Sequence, residues 1–278
     1  MKPPPFAYAR ARSVDEALDL LAEAGDDAKP LAGGQSLMPL LAYRLLRPTH
    51  LVDLGGIAGL DAVERRAGEV ELGALVRHVE LERAGLGLLS EAAGLIGHLP
   101  IRMRGTLGGS LAHADPSAEL PVAALASGAQ VVLRSRRGDR LVGADAFFVG
   151  PFTTAIEPDE LLVAVRVPAA PPEARTAFEE LAIRTGDFAL ASVAVAVGEA
   201  HVRIVLGGVA PAPVRAGAAE AVVKDGGLED DAIAAAAAAA ARECDPPDDP
   251  LVGRAYRREL AAVLVARALR RCRGSEAE

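Results

Sequence analysis

The chain is poor in cysteine and in aromatic residues. Its two cysteines, Cys244 and Cys272, belong to no CxxC pair. This excludes a disulfide framework, a four-cysteine zinc site and an iron–sulfur cluster held by this chain alone. Aromatic residues make up 3% of the chain, and 30 basic residues face 38 acidic ones. The composition therefore argues against a nucleic-acid binder that uses basic patches and aromatic stacking.

Long apolar runs are also missing. No segment reaches about 18 uninterrupted apolar residues, so we expect no membrane span. The first residues lack the apolar core of a signal peptide. The 278 residues are 51% hydrophobic, mostly aliphatic, which suffices for one large domain or two modest ones. These features predict a globular, cytoplasmic protein.

Hydrophobic periodicity and turn residues predict an α+β chain in two parts, residues 1–172 and 173–278. Ser13 and Glu16 form a capping-box pattern ahead of an apolar stretch that ends at Gly25. A proline-rich linker at 168–172 precedes three closely spaced strands, which short connections make antiparallel. The predicted helices are 13–24, 36–46, 77–84, 88–97, 120–126, 231–244 and 253–271. The predicted strands are 29–32, 50–54, 69–73, 130–134, 160–167, 178–184, 189–197 and 202–206, and 147–154 is expected to be irregular.

A glycine pair, Gly33-Gly34, lies between a buried strand and a helix start. Glycine allows a ligand to approach the main chain closely, and free N–H groups at a helix start attract anions. Ser36 adds a hydroxyl donor. For a single such pair, a plain tight turn is the favoured explanation.

A second glycine pair, Gly108-Gly109, repeats this chemistry between Thr106 and Ser110. Two such loops suit a pyrophosphate, which needs donors from two sides. His113, Asp115 and Glu119 follow and offer groups for sugar hydroxyls. The chain has neither a GxGxxG motif between a strand and a helix nor a GxxxxGK[ST] motif, so a P-loop ATPase is excluded.

These motifs resemble the two FAD-binding motifs of the flavoprotein (medium) subunits of molybdenum hydroxylases, the group of aerobic carbon monoxide dehydrogenase and xanthine dehydrogenase. The first motif is Ala-Gly-Gly-Gln-Ser-Leu at 32–37. The second is Thr-Leu-Gly-Gly-Ser at 106–110, followed by His-Ala-Asp-Pro-Ser-Ala-Glu at 113–119. The resemblance covers the whole chain and includes Gly-Asp-Phe-Ala at 186–189.

The resemblance implies a two-lobed FAD-binding domain of the vanillyl-alcohol-oxidase (PCMH) type, with lobes at about 1–55 and 56–172. A smaller C-terminal domain at 173–278, of three antiparallel strands plus helices, would pack over the flavin. This agrees with the linker and the change of pattern noted above.

Carried over position by position, the resemblance assigns Asp115 and Glu119 to cofactor contacts. Two departures, Gln35 where these carbon monoxide dehydrogenases often have His and Ser110 where Asn is common, keep hydrogen-bonding capacity. They weaken only the narrower inference that carbon monoxide is the substrate. The pyrophosphate is assigned to Ala32, Gly33, Gly34, Gln35, Ser36 and Leu37 and to Thr106, Gly108, Gly109 and Ser110.

Four further positions would surround the flavin ring. Leu161 or Leu162 would line it, and Phe188, after Asp187, matches an aromatic residue that covers the ring in carbon monoxide dehydrogenases. No side chain is assigned to acid–base catalysis, and no metal ligands are expected.

The function implied is electron relay. A molybdopterin-containing large subunit would oxidise the substrate and a [2Fe-2S] small subunit would deliver electrons. FAD on this chain would pass them to NAD, a quinone or oxygen. Two alternatives stay open: a self-sufficient FAD-dependent oxidoreductase of the same fold, and a scaffold that has lost FAD.

Overall fold

The computed structural model describes residues 2–171, 173–199, 201–249 and 252–274. The first lobe is a small α/β unit. Its strands are all parallel and stand in the order β1-β3-β2. The elements are β1 (Ala7–Arg10), α1 (Val14–Ala24), β2 (Ala28–Leu31), α2 (Leu37–Ala42) and β3 (His50–Asp53).

Helix α1 begins where the sequence predicts. The Glu16 N–H donates to Ser13 Oγ at 3.1 Å, and Gly25 ends the helix with φ of 68°. The Glu16 carboxylate accepts from the Arg12 N–H at 2.8 Å, one residue earlier than in a standard capping box. Local sequence therefore fixes this helix at both ends.

The second lobe is built on an antiparallel sheet in the order β4-β5-β10-β6-β7. Five helices lie between its second and third strands along the chain, and three small elements precede the last strand. The elements are β4 (Val63–Arg66), β5 (Glu69–Gly73), α3 (His78–Arg83), α4 (Leu88–Leu95), α5 (Leu99–Arg102), α6 (Leu107–His113), α7 (Glu119–Ala126), β6 (Gln130–Ser135), β7 (Gly138–Gly143), α8 (Ala144–Phe147), β8 (Phe148–Gly150), β9 (Thr153–Thr154) and β10 (Leu161–Pro168).

The C-terminal part is a four-stranded antiparallel sheet covered on one face by helices. Three of its strands are long, and the fourth has two residues. The elements are β11 (Arg175–Leu181), β12 (Ala191–Val197), β13 (Val202–Gly207), β14 (Val214–Arg215), α9 (Gly217–Gly226), α10 (Asp230–Glu243) and α11 (Arg254–Arg273).

One hydrophobic cluster extends across the boundary between the two parts. Every residue of α7 is buried, because this helix lies between the second lobe and the C-terminal sheet. Phe178 on β11, Ala194 on β12 and Val205 on β13 belong to the same apolar cluster as α7. The Gly208 N–H also donates to the Pro116 carbonyl oxygen at 2.8 Å. Helix α7 is therefore a central contact between the parts, and α4 also packs against β11.

Most predicted elements are present with ends shifted by up to four residues, and several others were missed. The predicted glycine turn at 106–110 opens helix α6, and the segment 147–154 contains the ribbon β8–β9 rather than being irregular. The C-terminal sheet has a fourth strand, β14, in addition to the three predicted, and the helix α9, also not predicted, follows it. The predicted boundary at residue 172 and the end of the chain from 275 onward lie outside the described residues.

None of the described helices combines the length and apolarity needed to cross a bilayer.

Candidate functional site

The first glycine loop leaves backbone donors unused. Residues 33–36 connect β2 to α2, and among the described residues their four N–H groups find no acceptor. Ser36 is exposed, and its hydroxyl does not cap α2. The Gln35 side-chain amide turns back to the Gly33 carbonyl oxygen at 3.2 Å. This loop can therefore donate several hydrogen bonds to an anionic ligand.

The second glycine loop uses its backbone donors internally. The Thr106 hydroxyl caps α6 by accepting from the Gly109 N–H at 3.1 Å. The Leu107 N–H donates to the Val76 carbonyl oxygen and the Gly108 N–H to that of Ala74. The two loops are therefore not equivalent, although the sequence suggests two similar cradles.

The loops touch through their glycines. A Cβ atom on Gly33 would lie 2.3 Å from the Arg104 carbonyl oxygen and 2.9 Å from Gly105 Cα. A Cβ atom on Gly109 would lie 2.7 Å from Thr106 Oγ1 and 3.7 Å from Ala32 Cβ. No side chain fits at Gly33 without moving backbone. The backbone leading into the second loop thus packs closely against the first loop, and the first loop supplies the hydrogen-bond donors.

His78, the first residue of α3, packs against the second loop. Its buried ring lies with Nε2 3.0 Å from the Thr106 carbonyl oxygen, and Nδ1 has no partner among the described residues. A Cβ atom on Gly105 would lie 2.6 Å from Nδ1. Burial lowers the pKa of His78 to about 4, so at neutral pH the uncharged ring donates from Nε2.

The neutral state of His78 predicts acid sensitivity. In the unfolded chain an imidazole has a pKa of about 6.5, so the unfolded chain binds more protons than the folded chain from there down to pH 4. Stability is then lost as the pH falls. We expect the stability advantage of the wild type over His78→Gln to shrink by up to about 1.4 kcal/mol per pH unit in this window. Urea unfolding at several pH values measures it, and a constant difference would contradict the assignment.

The segment after α6 brings Asp115 and Glu119, the two acidic residues predicted to contact the cofactor, to the N-terminal end of α7. Asp115 Oδ1 accepts from the Ser117 N–H at 2.9 Å and so shapes its own turn. Glu119 opens α7 and is 4% exposed. Burial, and after it the charges of Glu180 and Asp115, raise the pKa of Glu119 to about 8. Near neutral pH Glu119 therefore holds a proton and can donate, whereas the sequence suggested an acceptor.

The four residues predicted to surround the ring divide into two kinds. Leu161 and Leu162 lie on the central strand β10, 6% exposed, in separate apolar clusters. Asp187 and Phe188 lie on the exposed segment between β11 and β12, and Phe188 is 63% exposed. Contacts of these residues with a flavin stay predictions.

Three residues near the site escaped sequence reasoning. Glu180 and Ser192 face α7 from the C-terminal sheet, and the α7 residues that they face are far away along the chain. Phe152 has φ of 53° and lies with its ring 5.1 Å from that of His113. The positive φ of Phe152 depends on tertiary structure and has no sequence signal. His113 was the histidine expected near the site.

Two family models match the chain. The model described as FAD binding domain in molybdopterin dehydrogenase matches residues 4–170. The chain belongs to this family. The model described as CO dehydrogenase flavoprotein C-terminal domain matches residues 176–272. The fold class predicted from the resemblance is confirmed, while the boundary at residue 172 stays a prediction.

Relatives match over nearly the whole length. The 6-hydroxypseudooxynicotine dehydrogenase complex subunit alpha of Paenarthrobacter nicotinovorans is 42% identical over 97% of this chain and 95% of its own. The carbon monoxide dehydrogenase medium chain of Hydrogenophaga pseudoflava is 38% identical over 97% of each chain. A solved structure of carbon monoxide dehydrogenase from that organism, which lacks the Mo-pyranopterin moiety of the molybdenum cofactor, superposes with a TM-score of 0.94. It covers 98% of each chain at 39% identity.

These matches establish the class of the protein. It is a medium, FAD-binding subunit of the molybdenum hydroxylase family, similar to that of carbon monoxide dehydrogenase. It is an oxidoreductase subunit, and its cofactor is FAD. Its relatives are subunits of larger complexes.

The residues present fit this cofactor. Four unengaged N–H groups and the exposed Ser36 hydroxyl suit a pyrophosphate. The Gly33 contact keeps the loops close enough to act on one ligand. Beside Glu119, the buried Glu180 Oε2 and Ser192 Oγ atoms lack partners among the described residues. Such orphaned atoms are expected where a polar ligand is missing.

Proposed function

We propose that this chain binds FAD between its two glycine loops and relays electrons within a heteromeric molybdenum hydroxylase. A molybdopterin-containing large subunit would oxidise the substrate, and a [2Fe-2S] small subunit would carry the electrons to this chain. The external acceptor is NAD, a quinone or oxygen. The names of the relatives, a complex subunit and a medium chain, support the assembly.

The observation that carries the binding site is the set of unused N–H groups of residues 33–36. They would donate to the pyrophosphate, with hydroxyls from Ser36 and Ser110. The first loop would hold the charge, since the N–H groups of the second loop already have acceptors within the chain.

When bound, FAD accepts electrons singly and passes them on as a pair. The chain supplies position and a partly apolar environment. Phe188 would cover the ring, and Asp187 would hold the segment near it. Ala32 and Leu37 would flank the pyrophosphate, and Leu161 or Leu162 would line the flavin ring. The substrate is oxidised on the partner, so no side chain here needs to act as a general acid or base.

We also propose the cytoplasm as the location. Both cysteines, Cys244 and Cys272, are buried free thiols. This is the usual state of cysteines in a reducing compartment, and it supports the proposal.

The site is tested by titrating the purified chain with FAD and monitoring flavin fluorescence. The assembly is tested by co-purification with partners that carry molybdenum and 2Fe-2S clusters. Saturable binding is expected. A lack of binding both by the chain alone and by the reconstituted complex would overturn the proposal.

Phe188 allows a sharper test. If its exposed ring stacks on the flavin, Phe188→Ala loses about 1.5 kcal/mol of binding, roughly tenfold in Kd. Ile183→Ala is the control, because Ile183 lies in the same segment and is 65% exposed. We expect the control to bind FAD as the wild type does. Equal losses in the two variants would show that Phe188 has no special contact with the ring.

A further inference from the structure

Three polar residues meet at the boundary between the two parts of the chain. Glu180 on β11 lies directly opposite Ser192 on β12 in the antiparallel pairing, so both side chains lie on one face of the sheet. This is the face that packs on α7, as Phe178 and Ala194 on the same face show. A Cβ atom on Gly207 would lie 2.5 Å from Ser192 Oγ and 2.4 Å from Val122 Cγ2.

The place of Gly207 between Ser192 and Val122 locates the cluster relative to Glu119. Val122 and Glu119 are three residues apart on α7 and share a face of the helix. Ser192 therefore reaches the side of α7 that begins with Glu119, and Glu180 is its cross-strand neighbour. The charge of Glu180 acts on Glu119 directly.

The cluster is costly as it stands. Glu180 Oε2 and Ser192 Oγ are buried without partners among the described residues. Within the residues that the structure describes, neither Glu119 nor Glu180 forms an ion pair with a lysine, arginine or histidine. Two carboxyl groups that are removed from water, with the charge of one acting on the other, do not both ionise easily, so the favourable state holds one proton on the pair.

The other charged groups around α7 do not replace that proton. On α4, Glu91 pairs with Arg271 and accepts from the Phe178 N–H. On β13, Arg203 donates to the Leu125 carbonyl oxygen at the opposite end of α7. Asp115, in the preceding loop, adds negative charge. Strand β12 has no charged residue, and further titratable groups on packed elements are His113 on α6, Asp145 on α8, and Arg175 and Glu179 on β11.

We propose that Glu119 and Glu180 share one proton across this boundary near neutral pH, and that Glu180 is a positioning residue that keeps Glu119 a hydrogen-bond donor to an acceptor atom of the bound dinucleotide. The inference rests on the proposed function, because it takes FAD as the ligand of Glu119. It makes the C-terminal sheet a part of the cofactor site.

The consequence is a pH-dependent affinity. Burial raises the pKa of Glu119 to about 8 and that of Glu180 to about 7. Both lie above the values of exposed glutamates, so the proton is present at low pH and lost as the pH rises through these values. The wild-type Kd for FAD should therefore rise above about pH 8, by at most about tenfold per pH unit.

The test is a fluorescence titration of the full-length chain with FAD between about pH 6 and pH 9. In Glu119→Gln the amide donates at every pH, so the Kd should no longer depend on pH. In Glu180→Gln the charge that favours the proton on Glu119 is gone, so the rise in Kd should begin at lower pH. Glu179→Gln is the matched control, since Glu179 is the next carboxylate on β11 and pairs with Arg271 instead. It should keep the wild-type profile.

Urea unfolding of the FAD-free chain separates the two proposals. The wild type should lose stability as the pH rises from about 4.3, the pKa of an unfolded glutamate, to about 8, and both Gln variants at the cluster should lose less. If FAD binds but the profile of Glu180→Gln coincides with that of the wild type, the positioning role is overturned and the cofactor site stands. If FAD fails to bind while unfolding shows the shared proton, the proposed function and the donor role of Glu119 both fail. Unfolding curves with identical pH dependence in all variants would overturn proton sharing.

Discussion

Replacing Gly33 by alanine is expected to weaken FAD binding by roughly a hundredfold, on the order of 3 kcal/mol. The added Cβ atom would lie 2.3 Å from the Arg104 carbonyl oxygen and 2.9 Å from Gly105 Cα. Both are backbone atoms, so no side-chain rotation can relieve the clash. The two loops must move apart, and the N–H groups of the first loop then no longer face the second. Fluorescence titration with FAD measures the loss.

A control for this variant lies in helix α4. A Cβ atom on Gly94 would lie 3.6 Å from Glu82 Cγ, which is ordinary contact. Gly94→Ala should bind FAD normally and, as a helix-interior glycine, gain up to about 1 kcal/mol in stability. Wild-type affinity in Gly33→Ala would show that contact between the loops does not hold the site together. Unfolding curves of both variants show whether the loss is confined to binding.

The glycine loops also show how far sequence reasoning reaches. Their positions and flanking hydroxyls, and the inference of a pyrophosphate ligand, follow from short-range patterns. The use of the N–H groups does not, because the acceptors for Leu107 and Gly108 are the carbonyls of Val76 and Ala74, more than thirty residues earlier. The Thr106 cap, in contrast, was a local signal for helix α6 that the glycine pair concealed.

The polar cluster marks the same limit more strongly. Glu119 could be assigned from its place in a motif, but its raised pKa depends first on burial and then on the charge of Glu180, which lies on the C-terminal sheet 61 positions away. Strand pairing brings Ser192 to the same place. Patterns predicted the strands that carry both residues, with shifted ends. They could not predict which face of the sheet would pack on α7, because that choice is made by long-range contacts.

Helix α11 is rich in arginine, and such a pattern of charges can form either a solvated face or a surface for a partner subunit. In the structure many of these arginines bind their own chain. Arg271 pairs with Glu91 and Glu179 across the two parts, and Arg273 pairs with Asp230. Arg257 is 7% exposed and faces inward. Much of this charge therefore serves contacts within the chain.

Arg257 is the arginine whose loss should cost most. Its Nη1 donates to the carbonyl oxygens of Leu190 at 2.6 Å and Gly208 at 3.0 Å, and its Nη2 lies 2.7 Å from Asp249. Leu190 ends the segment that carries Phe188, and Gly208 donates to the Pro116 carbonyl oxygen next to Asp115. We expect Arg257→Ala to lower the free energy of unfolding by about 3–5 kcal/mol, since buried acceptors and a carboxylate lose their donor.

Two variants make this prediction specific to the buried guanidinium. Arg254→Ala, on the same helix, removes an arginine whose side chain is 40% exposed and pairs with Asp245, and should cost at most about 1 kcal/mol. Arg257→Lys keeps the charge but cannot reach both carbonyls and Asp249 at once, so it should recover less than half of the loss. Urea unfolding measures all three. If Arg257→Ala costs no more than Arg254→Ala, Arg257 does not brace the segment beside the site, and the geometry around Phe188 must be held by the packing of β11 and β12 alone.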